Sequence, residues 1–594
     1  MQKIIRVFVI IFQISLPLIT FVLCRRLSIG RGYDFETVNP YVIIINVFLW
    51  TTIYFLFLGL FKKNYLATFF YLLFFLLFTI ANRYKIKFLN LPVRINDLTW
   101  GRQLLGFVPA VVVHTNMAKE LIASFSALIA SFFVLKHFLK LQIKNINIRL
   151  FFVFIALIIL TLPYNQTKIY DQILNKTNIV FHTWDAAENC RNNGMLLCFI
   201  NDGKYLKFPE PEGYTETKIN QIYSKITLAN LATESAKKDL LLSKEVPEQS
   251  EGGGFSKPNI IILMSESFWD ATNLSGVKYS SDPIKNVRED VKSNLISPAF
   301  GGETSNVEFE LLTGLSNYFF TINSYPYTQY INKSLPSLFS IFKENDYYTS
   351  AIHPYSPWFY NRDNVYRYFG VDKFINLENI GQTENAGPFV SDKSFTEKVI
   401  NQINSNDKPQ LIFALSIQNH APFEANRFPT HPITFQSSLN NDDKNMLQSY
   451  IDGINLSDQS YKILKTELSK TKKPTILVFF GDHLPSLGLD FDLYKKLGFD
   501  YKDETKIHST PLSLWSNFET DLNLPSSISP SFLSLEILKM ANIKPKYQFY
   551  YLDSIKNKSV ILHQKLPTTQ FDQDDLINYN LIQYDLIFGK QYGL

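Results

Sequence analysis

The first 164 residues carry five long apolar runs, and these decide most of what the chain can become. They are Ile4–Cys24, Tyr41–Phe61, Tyr65–Ala81, Leu121–Leu135 and Leu150–Leu162. The first two are long enough to cross a bilayer as helices, the third is close to the lower limit, and the last two need flanking residues to reach full length. A cleaved signal peptide is the alternative for the first run, but it exceeds a usual h-region and no small-residue cleavage site follows. Five spans are expected over residues 1–164, with the amino terminus and the remaining chain on opposite sides. Charge follows the same division: residues 1–164 hold 17 Lys+Arg and 4 Asp+Glu, and the remainder holds 41 and 49. A basic, apolar front part fits a membrane unit beside anionic lipid. The slightly acidic remainder fits a water-soluble domain and argues against nucleic acid as a partner.

The positive-inside rule places the amino terminus in the cytoplasm, with Lys3, Arg6, Lys62, Lys63, Lys136, Lys140, Lys144 and Arg149 inside. The outside loop Arg83–Glu120 also holds six basic residues, which conflicts with that rule; its mixed sequence, IKFLNLPVRINDL, suits a segment lying along the membrane surface. Residues 165–257 read as a helical linker. PEPEGY at Pro209–Tyr214 breaks the chain, Thr217–Lys244 has apolar residues at helical spacing, and EGGG at Glu251–Gly254 is a hinge. Of three cysteines, Cys190 and Cys198 are close enough in sequence to bridge in an oxidising compartment, and two unpaired thiols are the equal alternative. No Cys/His cluster suggests zinc.

Beyond the hinge, three stretches carry chemistry. NIIILMSESFWD (Asn259–Asp270) is a short buried strand that ends on Ser265-Glu266-Ser267, placing Glu266 at a carboxyl edge, where open α/β sheets bind ligands. PTILVFFGDHLPSLG (Pro474–Gly488) is a second such strand, ending on Asp482-His483; adjacent oxygen and nitrogen donors suit one divalent cation. FGGETSNVEFELLTG (Phe300–Gly314) sets Thr304 after two glycines and before a helix, at a site where backbone N–H groups favour an anion. Plain capping by Thr304, with Glu308 in the first turns, is the bland alternative. A metal at Glu266, Asp482 and His483 would lower the pKa of the Thr304 hydroxyl and make it a nucleophile. His420, after the strand Gln410–Ser416, could donate to a phosphate or protonate a leaving group. His353, after Tyr348–Ile352, lies near the same edge, where a structural role is the simpler reading.

The motifs ESF at Glu266–Phe268, GGETSNVEFELLTG, SIQNHAPF at Ser416–Phe423 and GDHLPSLG resemble the lipoteichoic acid synthase family, membrane-anchored phosphoglycerol transferases of the alkaline phosphatase and sulfatase superfamily. The likeness extends to NRDNVYRYFGVDKF at Asn361–Phe374 and IQYDLIFGKQY at Ile582–Tyr592. It implies a multi-pass α-helical membrane domain (1–164), the linker (165–257), an extracellular α/β sulfatase-like domain with a mixed, mostly parallel sheet flanked by helices (258–545), and a carboxyl-terminal segment packed on it (546–594). It implies a bacterial cell-membrane location. Glu266, Thr304, Asp482 and His483 match the family's metal site, manganese with magnesium as a substitute. Thr304 matches the nucleophile that takes glycerol phosphate from phosphatidylglycerol and passes it to a glycolipid or glycan acceptor. Arg362 and His420 match contacts to the glycerol-phosphate head group, and His353 matches another site residue; for Arg362 a surface ion pair with Asp363 is the alternative. Lipoteichoic acid synthases carry a Trp two residues before that Arg, where this chain has Tyr360. Tyr still stacks on a glycerol chain, and the departure leaves room for a primase-like enzyme or one decorating another surface glycan. The competing readings are a phosphoethanolamine transferase and a non-catalytic protein that binds lipid head groups. A sulfatase is disfavoured, because none of the three Cys sits in a C/S-x-P-x-R motif and the context of Thr304 is wrong for one.

Overall fold

All five apolar runs are helical: α1 (Gln2–Ile29), α2 (Pro40–Leu60), α3 (Asn64–Leu89), α4 (Met117–Phe138) and α5 (Ile146–Thr161). The computed structural model describes residues 2–29, 39–89, 92–95, 97, 117–165, 167–181, 186–205, 208–225, 257–321, 324–488 and 491–594. Helix α2 starts on a strong local signal. Asn39 accepts a hydrogen bond from the Tyr41 N–H at 3.0 Å, and Pro40 fills the first turn, where its missing N–H costs nothing. Helices α1 to α4 are long and apolar enough to cross a membrane. Helix α5 has 16 residues, about 24 Å at 1.5 Å per residue against a hydrocarbon core of about 30 Å. It needs its flanks to span.

Several polar groups pair across these helices. Thr20 and Tyr71 hydroxyls lie 2.6 Å apart, Tyr54 and Thr68 hydroxyls 2.9 Å, and Gln13 donates to the Tyr54 hydroxyl at 2.8 Å. Hydrocarbon offers no water as a substitute partner, so such pairs fix which helix faces meet. Of the six basic residues of the Arg83–Glu120 loop, Arg83 pairs with Glu120 (3.3 Å), Lys85 with Asp97 (2.6 Å) and Arg94 with Asp202 (3.0 Å). Most of the loop between Leu89 and Met117 lies outside the described residues.

This first unit runs from Met1 to Phe208, so it takes in helices that the sequence reading assigns to the linker: Lys168–Lys176, Ala186–Asn193 and Met195–Asn201. Asn46 on α2 donates to the Asn193 carbonyl at 2.7 Å. Cys190 and Cys198 are both buried free thiols. The second unit, Pro209–Leu594, opens with the expected turn at 209–214 and a helix over 216–225. The rest of the expected helix and the EGGG hinge fall outside the described residues.

Eight strands form one sheet in the second unit: β1 (Asn259–Ser265), β2 (Val291–Ile296), β3 (Tyr348–His353), β4 (Lys373–Asn376), β5 (Gln410–Leu415), β6 (Thr475–Gly481), β7 (Ser509–Ser516) and β8 (Ser527–Ile528). Their order across the sheet is β8-β2-β7-β6-β1-β5-β3-β4. All pairings are parallel except β6–β7 and β7–β2, which is the mixed, mostly parallel sheet expected. Strand β1 sits at the centre and is buried along its length, as a continuous apolar run between two helical layers must be. The helices that matter for the site are α6 (Thr304–Thr313), α7 (Arg362–Tyr368), α8 (Asp392–Ile403), α9 (Asn441–Leu468) and α10 (Gln573–Ile587). Phe395 and Val399 of α8 and Ile454 and Tyr461 of α9 share a core with Ile261, Ile412 and Leu477 of the sheet. Phe413, pointing to the other face, meets Tyr366 of α7. The carboxyl-terminal α10 pins the end of α6: Tyr579 donates to the Gly314 carbonyl (2.5 Å), and Gln583 bonds both backbone groups of Ser316 (2.8 and 3.0 Å).

At the carboxyl edge β1 and β6 finish in register, Ser265 opposite Gly481. Glu266 and Asp482 therefore leave the sheet side by side. Gly481 is required there by close approach: a Cβ on it would lie 1.7 Å from the Phe268 carbonyl oxygen. Gly481→Ala must push the two strand ends apart, and we expect it to cost about 1–3 kcal/mol. Thermal unfolding of the full-length protein in detergent checks this; an unchanged transition would contradict it.

Candidate active site

Two strand ends and one helix start converge. Glu266 follows β1, Asp482 and His483 follow β6, and Thr304 is the first residue of α6; all four are buried. The loop before Thr304 is left-handed at Gly301 (φ 68°) and Glu303 (φ 67°). A Cβ on Gly301 would meet the Phe491 ring at 2.5 Å, so only glycine fits. Glu303, not Thr304, is the N-cap, and Thr304 Oγ1 is instead 3.4 Å from both Glu266 Oε2 and His483 Nε2. The capping alternative for Thr304 is thus set aside: its hydroxyl faces the carboxylate edge.

Hydrogen bonds orient each group. Asp482 Oδ1 accepts from the N–H groups of Ser267 (2.7 Å) and His483 (2.8 Å), and Glu266 Oε1 accepts from the Ser267 hydroxyl (2.9 Å). His483 Nδ1 lies 2.9 Å from the Leu484 carbonyl and donates to it. The lone pair on Nε2 then faces Asp482 Oδ2 at 3.3 Å and Glu266 Oε1 at 3.9 Å. Asp482 Oδ2 is buried and finds no hydrogen-bond donor among the described residues. Burial raises the Asp482 carboxyl to about 7. Burial, with the Asp482 charge beside it, raises Glu266 too, and burial lowers His483. A neutral imidazole lone pair aimed at two crowded carboxyl groups is repulsive unless a proton or a metal cation sits between them. One donor atom from each of Glu266, Asp482 and His483 lies within 4.8 Å of the others. This oxygen-rich set with one nitrogen suits a hard or borderline divalent ion.

The remaining residues named from sequence fall into two groups. Arg362 is buried at the start of α7, and the surface pair with Asp363 is not formed: its guanidinium grips Glu308 instead, through Nη2 at 2.6 Å and Nε at 3.0 and 3.2 Å. Burial alone would lower its pKa, and the Glu308 charge more than reverses that. Arg362 Nη1 also donates to His353 Nε2 at 3.3 Å, while His353 Nδ1 donates to the Leu415 carbonyl at 3.0 Å. Burial, then the Arg362 charge, hold His353 neutral. Tyr360 stacks on Tyr325 with ring centres 5.9 Å apart, and the Arg362 guanidinium lies 5.2 Å from its ring. His420 stands on the loop after β5, half-buried; its Nδ1 donates to the Ala421 carbonyl at 2.7 Å and its ring packs on Phe389.

Sequence reasoning saw Glu308 only as a first-turn helix residue. The structure makes it the anchor of Arg362, bonded also by the Tyr366 hydroxyl at 2.5 Å. The available signal was a helix, VEFELL, with Glu308 and Glu310 set among apolar residues that are buried throughout.

A family model described as Sulfatase matches residues 258–538. A putative cyclic beta-1,2-glucan modification protein of Rhizobium meliloti is 33% identical over 540 residues, 86% of this chain and 80% of that protein. A lipoteichoic acid synthase of Staphylococcus saprophyticus is 25% identical over 335 residues, 52% of this chain and 48% of the synthase. Among solved structures, the Streptococcus pyogenes phosphoglycerol transferase GacH, in complex with sn-glycerol-1-phosphate, is similar with a TM-score of 0.53 and 24% identity, over 65% of this chain and 96% of that one.

Two outcomes follow from the electrostatics. Raised carboxyl pKa values mean that the cation-free folded protein holds protons that the unfolded chain has released. Its stability therefore falls as pH rises from the ordinary carboxylate range to about 7. A divalent cation competes with those protons, so the gain in unfolding temperature on adding manganese should be small at pH 5 and large at pH 8; a pH-independent gain would refute the site. Separately, Glu308→Gln leaves a buried guanidinium without its counter-charge, at an expected cost of about 3–5 kcal/mol. Adding Arg362→Met should recover much of that, as read by denaturant unfolding.

Proposed function

The chain belongs to the sulfatase family, among its membrane-anchored, lipoteichoic acid synthase-like members, and from that premise we propose that it is a phosphoglycerol transferase. It takes glycerol phosphate from phosphatidylglycerol and passes it, through a phospho-threonine at Thr304, to an acceptor in the cell envelope. The observation that carries this reading is Thr304 Oγ1, held 3.4 Å from both Glu266 and His483 at the start of a buried helix. Glu266, Asp482, His483 and the Thr304 hydroxyl would hold one divalent cation, manganese with magnesium as a substitute. When bound, that ion acidifies the threonine hydroxyl and offsets charge on the phosphate oxygens.

The protein's own groups supply the rest. The Thr304 hydroxyl proton points at Glu266 Oε2, which leaves oxygen lone pairs for phosphorus. Oγ1 bonds to phosphorus as the bond to the diacylglycerol oxygen breaks, and that oxygen takes up a proton. An acceptor hydroxyl then attacks the same phosphorus, gives up its proton, and Thr304 leaves. With Nδ1 committed to Ala421, His420 has Nε2 to deliver or receive those protons. Arg362 keeps one N–H of Nη2 beyond its Glu308 bond, and with His353 and Tyr360 it bounds the head-group side. The amino-terminal helix of α6 adds its positive end where phosphate charge develops.

The apolar helices keep the enzyme beside a lipid donor, with the catalytic unit on the outer face of the cell membrane. The name of the Rhizobium meliloti relative supports a glycan as acceptor, and Tyr360 in place of Trp fits a role other than lipoteichoic acid polymerisation. The test is diacylglycerol release from labelled phosphatidylglycerol in mixed micelles with manganese. Thr304→Ala should cut release by about a thousandfold or more while the protein still unfolds cooperatively. Undiminished release in that variant would sink the nucleophile. Release from phosphatidylethanolamine but not phosphatidylglycerol would move the donor.

A further inference from the structure

His420 has a chemical task in the reading above, yet the loop that carries it, residues 416–423, has no helix or strand of its own. What holds it is Arg427. One guanidinium nitrogen, Nη1, donates to the carbonyl oxygens of His420 (2.8 Å) and Pro422 (3.1 Å); the other, Nη2, donates to the carbonyl of Gln418. Three carbonyls of one loop thus converge on one planar cation, a geometry that suits the rigid donor fork of arginine and not the point charge of lysine. The same guanidinium lies 5.4 Å from the ring centre of Phe389, on a separate two-stranded hairpin (Asn385–Ala386 with Phe389–Val390), and Phe389 in turn packs on the His420 ring at 5.5 Å. The turn of that hairpin is shaped around Arg427: Gly387 is left-handed (φ 67°), and a Cβ there would lie 2.8 Å from Arg427 Cγ. No carboxylate among the described residues lies within ion-pair distance of Arg427, and its Nε finds no acceptor. Burial lowers its pKa to about 10, which leaves it charged at neutral pH. This half-buried cation is therefore spent on a loop backbone that includes His420 and on the rings of Phe389, Phe428 and Phe423, of which Phe389 packs on His420.

We propose that Arg427 is a positioning residue for His420: it fixes the backbone on one side of the imidazole and Phe389 on the other, so that Nε2 is held toward the reacting groups. The inference rests on the reading of His420 as a group that meets substrate. Arg427 itself touches no reacting atom.

The test uses full-length protein in detergent micelles and has two arms. In the first, diacylglycerol release is measured for His420→Ala, Arg427→Gln, Arg427→Lys and the double variant His420→Ala with Arg427→Gln. Arg427→Gln should lower kcat/KM at least tenfold, and the double variant should be no worse than His420→Ala alone, because one residue acts through the other. Losses that multiply would overturn the proposal. Arg427→Lys keeps the charge and loses the fork; it should behave like Gln, and full activity in it would overturn the proposal in favour of charge alone. The second arm needs no substrate. Diethylpyrocarbonate labelling of His420, read by mass spectrometry against the exposed His431 in the same sample, should change severalfold in Arg427→Gln; an unchanged ratio would overturn the proposal. Should Arg427→Gln fail to fold, Phe389→Leu takes its place in both arms, since it removes the other support of the ring. A changed labelling ratio in protein that releases no diacylglycerol would uphold the positioning and defeat the donor assignment alone.

Discussion

Two carboxyl groups forced together out of water are the constraint on which the catalytic edge depends. The register of β1 and β6 sets Ser265 opposite Gly481, so the next residues, Glu266 and Asp482, have nowhere to go but the same buried space. In a low-dielectric interior like charges cannot both persist without compensation. The fold meets this unevenly. It spends two backbone N–H groups on Asp482 Oδ1 and the Ser267 hydroxyl on Glu266 Oε1. It leaves Asp482 Oδ2 without a donor and turns Glu266 Oε2 toward Thr304. Each carboxyl thus has one oxygen tied to the scaffold and one kept for something else. A structural carboxylate would have no reason to be left half satisfied.

The same logic extends one helical turn along α6. Thr304 is useful only if its helix cannot shift, and every residue of α6 is buried. Glu308, four residues on and one turn below, would be a second uncompensated charge, but Arg362 and Tyr366 of α7 bond it from the neighbouring helix. Arg362 is then tied to His353 at the end of β3, which is tied to the Leu415 carbonyl at the end of β5. Helix α6, Arg362 and two further strand ends form one hydrogen-bonded chain. Its members come from positions 54 and 62 residues apart in sequence, so local folding alone cannot assemble it.

That separation explains what the sequence could disclose. The apolar runs, the buried strands and their polar endings depend on local patterning, and each was legible: the five helices, the sheet with its mostly parallel order, and the strand-end placement of Glu266, Asp482 and His483. Glu308 was not, because a Glu one turn into a helix has a ready local explanation and its partner lies in another helix. The ion pairs of Lys85 and Arg94 were missed for the same reason. The extension of the first unit to Phe208 rests on contacts such as Asn46 with Asn193, which no periodicity announces. Arg427 carries no motif or periodicity in the sequence; only its three carbonyl partners give it a task.

Tyr360 and Asn361 deserve a physical account of their own, because both adopt left-handed backbone (φ 55° and 61°) without being glycine. Such residues cost about 1–3 kcal/mol each and persist only where surrounding contacts over-determine them. Here the contacts are the Tyr325 stack, the Arg362 guanidinium over the ring, and an Asn361 bond to the Tyr327 carbonyl at 3.3 Å. The strain turns the chain so that the Tyr360 ring and Arg362, two residues apart, lie against each other rather than on opposite sides. Burial first, and then the charges of Glu303, Glu266 and Glu308 against the opposing effect of Arg362, keep the phenol protonated. Its hydroxyl is therefore a hydrogen-bond donor, as an indole N–H would be, but carried on a smaller ring. Exchanging Trp for Tyr at this point conserves the donor and the aromatic face while widening the space beside the arginine.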